Sequence, residues 1–88
     1  MHIVYLLEHD ITGQSYIGYT TNLKRRLVEH NHSGHKFTTR KNGKWILLYA
    51  EAYRDEIDAH DREKQLKVHG SAMHSLLKRL KKSRLSQK

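Results

Sequence analysis

The 88-residue chain contains neither cysteine nor proline. Without cysteine there are no disulfides, no thiolate-held zinc, no iron–sulfur cluster and no thiol catalysis. Metal chemistry, if any, then falls to carboxylates and imidazoles, which points to a hard cation held by oxygen. No apolar run approaches the roughly 20 residues needed to cross a bilayer, so a membrane partner is not expected. Met1-His2-Ile3-Val4-Tyr5-Leu6-Leu7 lacks the basic start and small-residue cleavage site of a secretory signal. The expectation is one small domain of a reduced compartment, the cytoplasm. Only 36% of the residues are apolar, so its core must be small.

Acid is also scarce, with 9 Asp+Glu against 17 Lys+Arg and a formal charge of +8. The imbalance is local. Residues 1–63 carry nine basic and nine acidic side chains, whereas the segment after Glu63 carries eight basic ones and no acid. Within the neutral part, Lys24, Arg25, Arg26, Lys36, Arg40, Lys41 and Lys44 cluster around the lone Glu29, and six carboxylates crowd the stretch from Glu51 to Glu63. Two basic blocks framing an acidic one predict a phosphate-bearing partner. The cations expected to meet it are Lys24, Arg25, Lys36, Arg40, Lys41, Lys67, Lys78 and Lys81.

Residue patterns predict the elements. His2 to Glu8 reads as a strand buried on both faces. Asp10-Ile11-Thr12-Gly13 reads as a turn, and Ser15 to Tyr19 as the second strand of an antiparallel hairpin. A four-residue loop would set Tyr5 opposite Tyr16, with both side chains on one sheet face. Thr20-Thr21-Asn22 supplies helix caps for Leu23 to His30, with Leu23 and Leu27 facing the core and Arg25 pairing with Glu29. Asn31 to Gly43 reads as a loop, and Trp45 to Ala50 as the clearest buried strand, with Trp45 in the core. Arg54-Asp55 opens a helix with an acidic first turn and basic last turn, complementing its dipole. Gly70-Ser71 reads as a stop and a new start, and Ala72, Met73, Leu76, Leu77 and Leu80 form the apolar stripe of a last helix. The order is ββαβαα: an α+β domain with helices flanking a three-stranded antiparallel sheet, spanning residues 1–80, followed by a basic tail, 81–88.

One ordered series stands out: Ile3-Val4-Tyr5, then Tyr16-Ile17-Gly18, then Arg26 and His30 one helical turn apart, and much later Glu63 on another helix. With Tyr16-Ile17-Gly18-Tyr19-Thr20-Thr21-Asn22-Leu23-Lys24-Arg25-Arg26-Leu27 and Ala59-His60-Asp61-Arg62-Glu63-Lys64-Gln65-Leu66-Lys67, it resembles the GIY-YIG nuclease family over nearly the whole chain, and looks most like its small standalone bacterial members. The resemblance implies cleavage of phosphodiester bonds, most readily of DNA, with Mg²⁺ (or Mn²⁺) held by one carboxylate. It places the family's catalytic set on Tyr5, Tyr16, Arg26, His30 and Glu63, with Glu63 as the metal ligand.

The residue types suit that chemistry. A mostly hydrated Mg²⁺ needs few protein ligands. Arg26 is a permanent fork-shaped cation for a phosphate oxygen on which charge builds. A tyrosine can serve as general base if nearby cations lower its pKa, with Tyr5 in that role and Tyr16 orienting water or phosphate, or the two exchanged. His30 would share a proton with a tyrosine or hold a phosphate oxygen. Taken singly, each residue also has an ordinary explanation: core aromatics, a solvated cation, an i,i+4 partner for Lys67.

Some features depart from the family pattern. Ile3 replaces the first-motif glycine, Tyr19 stands where excision-repair members have a lysine, and no asparagine follows Glu63. The competing expectations are a non-catalytic nucleic-acid-binding module, a catalytic subunit that needs a protein partner, and a zinc or nickel site at His30, His32 and His35. Absence of helix-turn-helix and zinc-finger signatures favours recognition of nucleic-acid structure, or of single strands, over base sequence.

Overall fold

A computed structural model describes residues 1–32 and 43–85, His32 by its backbone only. The elements are β1 (His2–His9), β2 (Ser15–Thr20), α1 (Leu23–His32), β3 (Trp45–Tyr53), α2 (Glu56–Val68) and α3 (Gly70–Arg79). The strands form one antiparallel sheet in the order β2-β1-β3. This is the α+β, ββαβαα arrangement that the sequence predicts.

The central place of β1 follows from its composition. Val4, Tyr5, Leu6 and Leu7 are each at most 2% exposed, so both of its faces are covered. Alternation divides them: Val4 and Leu6 join Ile17, Ala59, Leu66 and Leu76 in the core under α2 and α3. Tyr5 and Leu7 point the other way, towards α1. The sheet is therefore sandwiched, with the reactive side chains on the α1 face.

The hairpin register differs from expectation by two residues. Tyr5 pairs with Gly18, and Leu7 pairs with Tyr16. The turn is longer than four residues because His9 organises it: its Nδ1 accepts from the Ile11 and Thr12 amides, both at 3.2 Å. The His9 N–H bonds to Gln14 O and the Gly13 N–H to His9 O, each at 2.9 Å, and Gly13 takes the left-handed φ of 76°. An even slip preserves the faces, so Tyr5 and Tyr16 still share one side.

Three further expectations are corrected. β3 is only partly buried, because it is an edge strand whose outer side pairs with nothing described, and Leu48 bulges out of its ladder where the register skips between Leu6 and Leu7. Trp45 is half-buried on the α1 face, outside the core, with its ring 5.2 Å from His9 and 6.1 Å from Tyr16. α1 continues through Asn31 and His32, and the junction of α2 and α3 falls at His69, one residue before Gly70.

Candidate active site

Gly18 creates the space for the site. A Cβ built on it would lie 2.4 Å from Tyr5 Oη and 2.5 Å from its Cζ, so the Tyr5 ring fits only above a glycine. The ring thereby reaches α1, where Tyr5 Oη meets His30 Nε2 at 2.9 Å. Tyr16 completes the group: its ring stands edge-on to His30 at 4.8 Å and lies 6.2 Å from Tyr5, with 40% of the residue exposed.

Both ends of α1 are fixed. Asn22 Oδ1 caps it by accepting the Arg25 amide at 3.0 Å, and Thr20 Oγ1 accepts the Asn22 amide at 3.0 Å. At the far end, the Asn31 side chain bonds both backbone groups of Trp45, accepting from N–H at 2.9 Å and donating to C=O at 3.2 Å. The helix between these clamps presents His30 and Arg26 together. Arg26 Nε lies 3.2 Å from Glu29 Oε1, but the angle makes no hydrogen bond, and this buried N–H has no acceptor. A buried, unsatisfied guanidinium donor is suited to an arriving anion. The predicted Arg25–Glu29 pair also forms, at 3.6 Å.

Glu63 comes from α2. Its Oε1 lies 3.3 Å from His60 Nδ1, and its Oε2 accepts from Lys67 Nζ at 2.9 Å. His60 in turn packs its ring 4.1 Å from that of Tyr19, whose hydroxyl meets His2 Nδ1 at 2.7 Å. Among the described residues no three His, Asp or Glu side chains gather as a metal site. A single carboxylate with 18% of its side chain exposed suits a hard cation that keeps most of its water, and does not suit zinc.

The electrostatics converge on Tyr5. Burial, reinforced by Tyr16, pushes its hydroxyl up to about 12; Glu63 and Glu29 push the same way, and Arg26 opposes them. Arg26 and Glu63, 37 residues apart in sequence, thus act on one oxygen. At neutral pH the Tyr5 phenol keeps its proton and donates it to His30 Nε2. The lowered pKa expected for a tyrosine base is not found at Tyr5, because burial outweighs the nearby cation.

Of the residues expected to meet nucleic acid, Lys24, Arg25, Lys78 and Lys81 are exposed, while Lys67 is engaged by Glu63. Lys36, Arg40, Lys41 and His35 lie outside the described residues, as does the His32 side chain. Sequence reading missed Asn31 and His60, which hold α1 and Glu63. It also missed Glu8, which is fully buried although charged. The apolar surroundings of Glu8 in the sequence gave the only hint.

A profile of the GIY-YIG catalytic domain matches residues 1–82. The chain belongs to the GIY-YIG family. It is 36% identical over 67 residues to a UPF0213 protein of Halobacterium salinarum, covering 76% of this chain and 86% of that one. A UPF0213 protein of Desulfotalea psychrophila is 42% identical over 57 residues, or 62% of this chain and 51% of the relative. The solution NMR structure of a UPF0213 protein from Bacillus halodurans superposes with a TM-score of 0.56 at 29% identity, covering 88% of this chain and 82% of that one. This GIY-YIG domain therefore belongs to a nuclease family, for which nucleic acid is the substrate class. Among its described residues no helix is long and apolar enough to cross a membrane.

Proposed function

We propose that this GIY-YIG protein is a metal-dependent endonuclease of the cytoplasm that hydrolyses phosphodiester bonds of DNA, selecting strand structure or single strands over base sequence. The observation that carries this reading is the Tyr5–His30 hydrogen bond, set in the combined field of Arg26 and Glu63.

Hydrolysis needs a deprotonated water, stabilisation of the charge that builds on phosphate, and a positioned phosphorus. With its pKa near 12, Tyr5 acts as a base only as half of a relay. As the water oxygen bonds to phosphorus, its proton passes to Tyr5 Oη and the Tyr5 proton passes to His30 Nε2. The bond from phosphorus to the leaving oxygen breaks, and that oxygen collects a proton from solvent. The unsatisfied Arg26 Nε–H donates to a non-bridging oxygen, strengthening as charge accumulates. Tyr16, the exposed member of the group, orients the phosphate. Glu63 is the residue that would hold Mg²⁺ or Mn²⁺, which supplies Lewis-acid stabilisation when bound.

Cleavage of single-stranded, duplex, flap and junction DNA and of RNA, assayed with Mg²⁺ for the wild type, Arg26→Ala and Glu63→Ala, tests the reading. The wild type is expected to cut at least one DNA, and each variant to lose about 10²–10³ in rate while keeping its circular dichroism spectrum. Binding without cleavage in either Mg²⁺ or Mn²⁺ would leave a nucleic-acid-binding module, and undiminished cleavage by Glu63→Ala would remove its assigned role.

A further inference from the structure

The segment after α3 is a folded part of the molecule. The amides of Ser83 and Arg84 both bond to Leu80 O, at 2.8 and 3.0 Å, which turns the chain back on itself. The Leu85 amide then donates to Glu8 Oε1 at 3.0 Å, joining residues 77 positions apart. Glu8 sits on the central strand with no exposed surface, where a carboxylate requires hydrogen-bond donors. A buried charge of the sheet thus anchors the chain next to Arg84.

This turn sets Lys81 and Arg84 against α3. With His74, Leu77 and Lys78 they line a cavity of about 300 Å³. Every lining residue except Leu77 is a lysine, arginine or histidine, and the sequence has no carboxylate after Glu63 to neutralise them locally. The ion pairs of the described residues lie within α1, within α2 and between α2 and β3, and none engages Lys78 or Lys81. Arg84 Nε is buried with no hydrogen-bond acceptor. Unpaired cations around a cavity, one of them with an unsatisfied buried donor, form an anion site.

We infer that this groove binds a backbone phosphate of the nucleic acid, remote from the bond that is cut. The inference rests on the proposed reading that nucleic acid is the substrate. Remoteness follows from the fold: Leu76 of α3 packs on the Val4, Leu6 and Ile17 face of the sheet, whereas Tyr5 and Tyr16 occupy the opposite face. The groove therefore contributes to holding a long strand and takes no part in bond cleavage.

The test compares wild type with Lys78→Ala/Lys81→Ala, both side chains being exposed and their loss compatible with folding. Binding of a long fluorescent single strand is measured over a range of salt concentrations, without divalent cation so that no cutting occurs. The double variant should bind about fivefold or more weakly at low salt, with the slope of log affinity against log salt shallower by about 1 per lysine removed. Arg84→Gln should weaken binding in the same direction. With inorganic phosphate as probe, amide shifts in wild type should concentrate between His74 and Leu85. In cleavage assays the loss should appear in KM. Unchanged affinity and slope in the double variant would overturn the groove even if the protein proves to be a nuclease. Conversely, wild-type binding with the predicted salt dependence but no cleavage would sustain the groove and remove the nuclease reading.

Discussion

Gly18 shows how much chemistry can depend on an absent atom. Its spacing from Tyr16 and its setting in a strand mark it as a place of close approach, but the sequence cannot name what approaches. That depends on the hairpin register, and the register depends on His9 holding two turn amides. The tyrosine that lies over it is Tyr5, pinned at its far end by His30, so an added methyl cannot be absorbed by a swing of the ring. Gly18→Ala should therefore destabilise by about 1–3 kcal/mol and lower any cleavage rate at least tenfold by breaking the Tyr5–His30 bond. In a Tyr5→Phe background, where the nearest clashing atom is gone, the stability loss should shrink without vanishing, because Cζ remains 2.5 Å away. Urea unfolding of the single and double variants measures this, and strict additivity would contradict it.

At the scale of the element, α2 places Glu63. Only Ala59 and Leu66 of this helix are buried, so apolar packing alone sets its rotation weakly. Polar clamps do the rest. Asp55 caps its start, accepting from the Ile57 amide at 2.7 Å. Arg62 grips Glu51 of β3 through Nε at 3.1 Å and Nη2 at 3.1 Å, and the same carboxylate accepts the hydroxyls of Tyr49 and Tyr53. Burial pushes the Glu51 carboxyl up, yet the hydrogen bonds from Arg62, Tyr53 and Tyr49 prevail and hold it below the ordinary value. With Arg62 turned to β3, the next residue faces the β2 side, where His60 packs against Tyr19. Glu51→Ala should strand Arg62 and both hydroxyls and destabilise by about 2–3 kcal/mol, below the loss for a fully buried pair because Arg62 retains 23% side-chain exposure. Glu51→Gln, which keeps acceptor oxygen, should lose less. Equal Tm values for wild type and Glu51→Ala would show that the clamp is idle. The acidic start of α2 was legible because capping is local. The clamp was not, since it depends on which strand lies under the helix.

For the whole molecule, what could be read in advance is what depends on neighbours in sequence: element order, the buried β1, the apolar stripe of α3 and the charge blocks. The edge position of β3 was hidden, because an apolar run reads alike in a central or an outer strand until the strand order is known. The acidic stretch likewise separates into distinct tasks only in three dimensions: Glu51 as a clamp, Asp55 as a cap, Glu63 as the proposed metal ligand. Those placements give the folded state a characteristic response to alkali. Tyr5 is raised to about 12 chiefly by burial, and Tyr53 to about 12 by burial and then by its bond to Glu51, while an unfolded tyrosine titrates at about 10. Both phenols are neutral in either state below pH 10, where their full stabilisation is present. Between 10 and about 12 the unfolded chain releases these protons first, so stability falls with rising pH and the contribution is spent above about 12. Each tyrosine accounts for up to about 2–3 kcal/mol, less for the partly solvated Tyr53. Lysines lose charge over the same range, which relieves repulsion in a chain of net charge +8 and acts in the opposite direction. Comparison with Tyr5→Phe and Tyr53→Phe separates the two effects: each variant should show a shallower fall of Tm with pH than wild type, matched by loss of late-titrating tyrosinate absorbance. Parallel Tm curves for all three proteins would mean that neither hydroxyl is held as described.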